Sequence, residues 1–188
     1  MQKLGASADE WLKAGYVAIA TLVIISIFML MPYTLAYNHT ASVPKGWYFV
    51  DQTVEPEALE RDDLVIFYYD EPDWAKGRYP FGENYKFLKK VGGLPGEWIK
   101  TIPKMGNYAC EEDLSDVRII LKHCQFVGSP LPVDSKGQEL PAYEWETALK
   151  SRELYLYSLH APNSYDSRYL GPVWASRVYG RATPIITW

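Results

Sequence analysis

Ser42, Lys89, Lys90, Asp166 and three histidines are the groups in this sequence whose chemistry goes beyond solvation. A serine hydroxyl is a poor nucleophile until a neighbouring base takes its proton. His39, His123 and His160 are the first bases to weigh, and Ser42, His160 and Asp166 compose a triad on paper. A lysine serves instead only when its amine is neutral. An exposed lysine at pH 7 is neutral in roughly one molecule in 2,500. Burial among apolar groups lowers its pKa by several units, and Leu88 and Val91 can supply that burial around Lys89. On an extended strand Lys89 and Lys90 face opposite sides, so only one of them can meet Ser42.

These groups fall in three short islands, residues 38–46, 87–97 and 163–172. Taken singly, each has a plain reading. Ser42 is a loop hydroxyl, Lys89 a solvated charge, and Gly92 to Gly96 a tight turn. Asp166 with Arg168 is then a surface ion pair worth under about 1 kcal/mol. Ser42-Val43-Pro44-Lys45 matches the Ser-x-x-Lys of penicillin-binding proteins, but the Ser-Asp-Asn and Lys-Thr-Gly elements that must accompany it are missing. Cys110, His123 and Cys124 lack a fourth ligand at zinc-like spacing, so no metal is expected. Nothing in the sequence calls for a cofactor.

Positioning such groups needs a scaffold, and the composition describes one. The 188 residues carry 19 Lys+Arg against 23 Asp+Glu, a net charge of -4 with 48% hydrophobic residues, which is an ordinary globular balance. A pI near 5.4 without any basic stripe argues against a nucleic-acid partner. Fifteen Tyr, 7 Trp and 6 Phe suit a β-rich core or an apolar binding surface. Segments 46–50, 64–69, 98–102, 117–121, 154–159 and 182–188 are rich in β-branched and aromatic residues and are bounded by turn signals, which predicts strands. Residues 143–152 read as a short helix, and 104–142 as an insertion or surface subdomain.

No formal charge occurs from residue 14 to residue 44, counting His39 as neutral, and 14–30 is almost wholly apolar. A helix over 14–37 reaches roughly 36 Å, enough to cross a hydrocarbon core of about 30 Å. Tyr33 and Tyr37 suit a headgroup-level aromatic belt, and Pro32 a helix end. A cleaved signal peptide competes, with its cut after Ala36, although the apolar run exceeds the usual h-region. Lys3 and Lys13 precede the span, which places residues 1–13 in the cytoplasm and 38–188 outside. Cys110 and Cys124 can pair in such an oxidising compartment or stand as two structural thiols. The expected architecture is a mainly antiparallel β domain on one N-terminal transmembrane helix.

Together and in this order, the islands resemble the S26 signal-peptidase family of serine peptidases, the type I signal peptidases, and most of all its TraF-type conjugative transfer branch. The matching boxes are Asn-x-Thr-x-Ser-x-Pro-x-Gly from Asn38, Lys-Lys-Val-x-Gly-x-Pro-Gly from Lys89, and Ser-x-Asp-Ser-Arg-Tyr-x-Gly-Pro from Ser164. Residues 134–141 also resemble a TraF-type segment. Val43 stands where general signal peptidases carry methionine, and Pro44 follows Ser42 by two positions rather than three, both as in the TraF-type branch. Glu97 replaces the usual aspartate, and 104–142 has no clear counterpart.

The resemblance implies a signal-peptidase-like β fold and a Ser–Lys dyad. Counted back from Gly93-Leu94-Pro95-Gly96, the base is Lys89, with Ser42 as nucleophile. It gives the oxyanion to Thr40 and the Ser42 N–H, the orientation of the lysine to Ser164, and a catalytic or bracing role to Asp166 with Arg168. It implies a membrane-embedded pilin precursor or preprotein as substrate, cut after small residues and in some relatives cyclised. The setting is the bilayer of a bacterial inner membrane with the catalytic domain in the periplasm. A housekeeping signal peptidase and a non-catalytic subunit of a conjugative secretion apparatus are the alternatives.

Overall fold

The computed structural model describes residues 8–78 and 85–188. They divide into two units, one ending at Pro32 and the other running from Tyr33 to Trp188. The first is a single helix, α1 (Ala8–Leu30). Its Ala8–Ile27 stretch has a mean hydropathy of 1.5 and is long enough to cross a membrane. Two hydroxyls in the apolar run bond back to their own helix, Thr21 Oγ1 to the Val17 carbonyl and Ser26 Oγ to that of Leu22, both at 2.8 Å. Neither therefore leaves an unsatisfied hydroxyl on the apolar helix surface.

The helix ends sooner than the expected span. Pro32 lacks an N–H and disfavours helix in the residue before it. The following Tyr-Thr-Leu-Ala-Tyr-Asn forms β1 (Tyr33–Asn38), paired residue by residue with β2 (Gly46–Asp51).

The second unit is two antiparallel sheets. The larger is built from β1, β2, β3 (Leu64–Tyr68), β4 (Lys86–Gly93), β9 (Glu153–Tyr157), β10 (Val173–Trp174) and β11 (Val178–Thr187). These seven strands lie in the order β1-β2-β11-β3-β4-β9-β10 and curl into a half-barrel. The smaller sheet has the order β7-β6-β5-β8, from β5 (Trp98–Ile102), β6 (Gly106–Cys110), β7 (Gln125–Gly128) and β8 (Glu146–Ala148). Period-two burial is plain in β2, where Tyr48 and Val50 point inward and Trp47 and Phe49 outward. Gly46 begins this strand because its φ of +141° and the Ile186 carbonyl packed against it leave no space for a side chain. Gly92 lets β4 approach β9, since a Cβ there would meet the Tyr157 ring at 2.6 Å.

Two expected elements differ in type. Residues 117–121 belong to helix α2 (Val117–His123), although their β-branched composition reads as a strand. Asp116 caps that helix by accepting the Arg118 N–H at 2.8 Å, and Lys122 and His123 sit favourably at its C-terminal end. The expected 143–152 helix is replaced by β8 on the edge of the small sheet. Trp145 is buried there, with its N–H on Thr101 Oγ1 at 2.9 Å and its carbonyl accepting the Thr101 N–H at 2.7 Å. The segment 104–142 supplies β6, α2 and β7, and a Cys110–Cys124 disulfide ties β6 to the end of α2. That bond removes both cysteines as metal ligands.

Candidate active site

Ser42 lies in the loop between β1 and β2, and Asn38 shapes that loop. The Asn38 Nδ2 group donates to the carbonyls of Thr40, Val43 and Pro44 at 3.0, 3.0 and 3.1 Å. Its Oδ1 accepts the Thr40 N–H at 3.1 Å and the Thr40 hydroxyl at 2.7 Å. One buried amide thus closes the turn on itself. Thr40 Oγ1 lies 3.2 Å from Ser42 Oγ. Because the Thr40 proton goes to Asn38, the hydroxyl of Ser42 is the donor in this pair. Ser42 is 9% exposed, and the next residue, Val43, anchors the loop in a core cluster with Tyr48, Ile66 and Leu88.

β4 presents its two lysines to different surroundings. Lys89 pairs in register with Val65 and Lys90 with Leu64. Lys89 is 2% exposed on the face shared with Phe87 and Val91, its ammonium 5.4 Å from the Phe87 ring centre. Burial pulls its pKa down to about 8, with Asp166 opposing that shift and Arg168 adding to it. Lys90 is half-exposed and bonds Asp62 at 3.2 Å. The two neighbours thus lie on opposite faces of the strand, one buried and one in contact with solvent.

The third island forms the floor of the site. Asp166 caps the short helix α3 (Ser167–Leu170) and takes two 2.8 Å hydrogen bonds from Arg168, from Nε and Nη2. Burial lowers the pKa of Arg168, but the hydrogen bond and charge of Asp166 outweigh it and hold the guanidinium above its usual value. Arg168 also donates to the carbonyls of Ser129, Pro162 and Ser164 at 3.0, 3.1 and 2.8 Å. Tyr169 OH accepts the Leu131 N–H at 2.7 Å. The 104–142 segment is thereby stitched to the site. Ser164 Oγ is buried and makes no hydrogen bond among the described residues.

Ser158, which the sequence reading did not single out, connects the islands. Its N–H donates to Asp166 Oδ2 at 3.1 Å and its hydroxyl to the Ser42 carbonyl. The Ser42 loop and the group whose charge bears on Lys89 therefore share one brace. Asn38 was legible only as the first letter of a motif. With Asp166 committed to Arg168 and Ser158, the exposed His160 makes no hydrogen bond to that carboxylate among the described residues, and the Ser42/His160/Asp166 triad is not assembled. Glu97 occupies the aspartate position of the turn well: it accepts the Leu94 N–H at 2.7 Å and pairs with Arg61 at 2.8 Å.

Two cavities flank the loop. One of about 240 Å³ is walled by residues 34–40 and 85–88, with Tyr48, Ile66 and Tyr179 behind. The other, of about 490 Å³, is walled by Ser42, Val43 and Pro44, Lys90, and residues 157–160.

A buried lysine of lowered pKa, a serine in a clamped loop and adjoining clefts are the equipment of a peptide-bond-cleaving enzyme. Comparison with known proteins agrees. The family model described as signal peptidase, peptidase S26, matches residues 8–188. A plasmid transfer protein TraF of Escherichia coli is 33% identical over 63 residues, which is 33% of this chain and 35% of that protein. The match thus spans about a third of that relative's length. With the family model covering both the apolar helix and the whole β unit, this chain belongs to the S26 signal peptidase family, a family of serine peptidases.

Proposed function

We propose that this protein is a membrane-anchored serine endopeptidase that uses a Ser42–Lys89 dyad to process a conjugative pilin precursor after small residues. The observation that carries the reading is the burial of Lys89, whose pKa near 8 leaves roughly one amine in ten neutral at pH 7. That amine takes the proton of Ser42 Oγ as the oxygen attacks the scissile carbonyl. The resulting oxyanion is met by the Ser42 N–H and, after rotation away from Asn38, by the Thr40 hydroxyl. The lysine ammonium then returns its proton to the leaving amine, and an ester on Ser42 remains. Water resolves it to a carboxylic acid, or the substrate's own N-terminal amine resolves it to a cyclic amide. Ser164 orients Lys89, while Asp166 and Arg168 hold the floor beneath it.

Two features support the setting. The Cys110–Cys124 disulfide suits an oxidising compartment such as the periplasm. Tyr33, Leu35 and Tyr37 of β1 stand exposed beside Trp47 and Phe49 of β2, with Tyr33 stacked on Phe49 at 5.4 Å and Tyr37 against Trp47 at 5.2 Å. An aromatic face of this kind suits the interfacial region of an inner-membrane bilayer.

Mass spectrometry of the candidate pilin with wild type, Ser42→Ala and Lys89→Ala tests the reading. Processing by wild type alone, with a cut after a small residue, is expected. Processing by either variant favours a non-catalytic role in the secretion apparatus. Rescue of a strain lacking its essential signal peptidase favours a housekeeping enzyme.

A further inference from the structure

The larger cavity beside Ser42 has no role in the reading above. It shares Tyr48 with the smaller one, and between them stands Val43, 3% exposed and packed on Tyr48, Ile66 and Leu88. β4 passes both: Phe87 and Leu88 line the smaller cavity and Lys90 the larger. The larger cavity has Ser42 itself in its wall and the smaller reaches Thr40, so the loop that carries Ser42 has a cavity at each end. The smaller, at about 240 Å³, suits the small residues expected before the cut. The larger, at about 490 Å³, lies in the range of pockets that enclose a bulky group.

Its walls define what it accepts. Leu64, Pro44, Pro184 and Leu159 are apolar. Three polar groups among its walls bond elsewhere: Tyr48 OH donates to the Pro44 carbonyl at 2.6 Å, Ser158 Oγ to that of Ser42, and Tyr157 OH to Asp62 at 3.2 Å, while His160 and Thr187 stand on its exposed rim. Lys90, the one lysine here, is paired with the same Asp62. Below that rim a polar occupant would give up its water without replacement, and a cation would find the Asp62 carboxylate already taken by Lys90.

We propose that this cavity receives the side chain of the residue immediately after the scissile bond, and that it selects a bulky apolar residue there and rejects a basic one. The proposal rests on Ser42 being the nucleophile. Full-length protein in detergent micelles is given synthetic peptides with Ala-x-Ala before the cut and Phe, Ala or Lys directly after it. The expected order of kcat/KM is Phe, then Ala, then Lys, with about tenfold or more between Phe and Ala. Leu159→Trp and Thr187→Trp, both on the exposed rim, fill the cavity and should bring the Phe/Ala ratio near one, with circular dichroism confirming the fold. Two variants guard against one misfolding. Equal cleavage of all three peptides by wild type, or an unchanged ratio in either folded variant, overturns the cavity assignment and leaves the peptidase reading standing. Cleavage by Ser42→Ala at the wild-type rate overturns that reading, and this proposal with it.

Discussion

Asp166 and Arg168 meet through two hydrogen bonds of 2.8 Å, the carboxylate 0% and the guanidinium 2% exposed. The pair acts on Lys89 in opposite senses, Asp166 favouring its ammonium and Arg168 disfavouring it. Desolvation is the largest of the three effects and decides the direction for Lys89. Removing Arg168 alone would leave a buried carboxylate unpaired, at a cost of about 3–5 kcal/mol. Arg168→Met should therefore lower the urea midpoint clearly, and any activity left should titrate at higher pH because Asp166 would act on Lys89 unopposed. An unchanged midpoint would show that the pair is not what holds this floor together.

In the proposed dyad the pH dependence of catalysis follows from Lys89. A lysine with a pKa near 8 works as its neutral form, so kcat/KM should rise with pH and level off above about 8. Against an unperturbed lysine, the neutral fraction at pH 7 is about 200–300 times larger. Lys90→Ala should leave the midpoint in place, because Lys90 is half-exposed and held by Asp62. A profile with its midpoint near 6.5, as a histidine base would give, counts against the dyad.

Stability should carry the opposite signature of the same burial. The folded pKa of Lys89 lies below its unfolded value of 10.5, so between about pH 8 and 10.5 the unfolded chain binds more protons. Stability therefore rises with pH across that window, and the full penalty is present below it. Lys89→Met removes the penalty, which is at most about 3 kcal/mol. The variant should be inactive yet more stable than wild type at pH 7, with the difference shrinking as pH climbs through 8 to 10.5. Denaturant titrations at pH 7 and pH 10 read this directly, and a variant less stable than wild type at pH 7 contradicts it.

The parts legible in the sequence are those fixed by local pattern. β2 shows its alternation in Gly-Trp-Tyr-Phe-Val-Asp, and the helix its unbroken apolar run. The two misread elements depend on long-range partners or on a single cap: α2 turns on Asp116, and Trp145, just before β8, is held extended by Thr101, 44 residues away. Tyr33 to Tyr37 are apolar enough for a membrane span, and only pairing with β2 makes them a strand. In the site, the residues of the three islands stood out, but Ser158 did not. Its role is a hydroxyl reaching across 116 residues to the Ser42 carbonyl, and no spacing rule encodes that contact.

Asn38 offers the sharpest test of how the Ser42 loop is held. Its Nδ2 bonds three carbonyls and its Oδ1 holds both the N–H and the hydroxyl of Thr40, in a residue only 9% exposed. Asn38→Asp keeps the acceptor but turns the donor into a second carboxylate oxygen facing those carbonyls, whereas Asn38→Ala loses both. A buried donor or acceptor left without its partner costs about 1–3 kcal/mol. Asn38→Asp should accordingly lose more stability than Asn38→Ala, and both should lower kcat with KM little changed, since they loosen the nucleophile rather than the clefts. Thr40→Val, which removes a hydroxyl expected to meet the oxyanion, should cost about a hundredfold or more in kcat, with a smaller loss of stability than Asn38→Asp because Asn38 Oδ1 keeps the Thr40 N–H. If Asn38→Asp retains wild-type kcat and melting temperature, the amide is a bystander and the loop is held by Val43 and Ser158 alone.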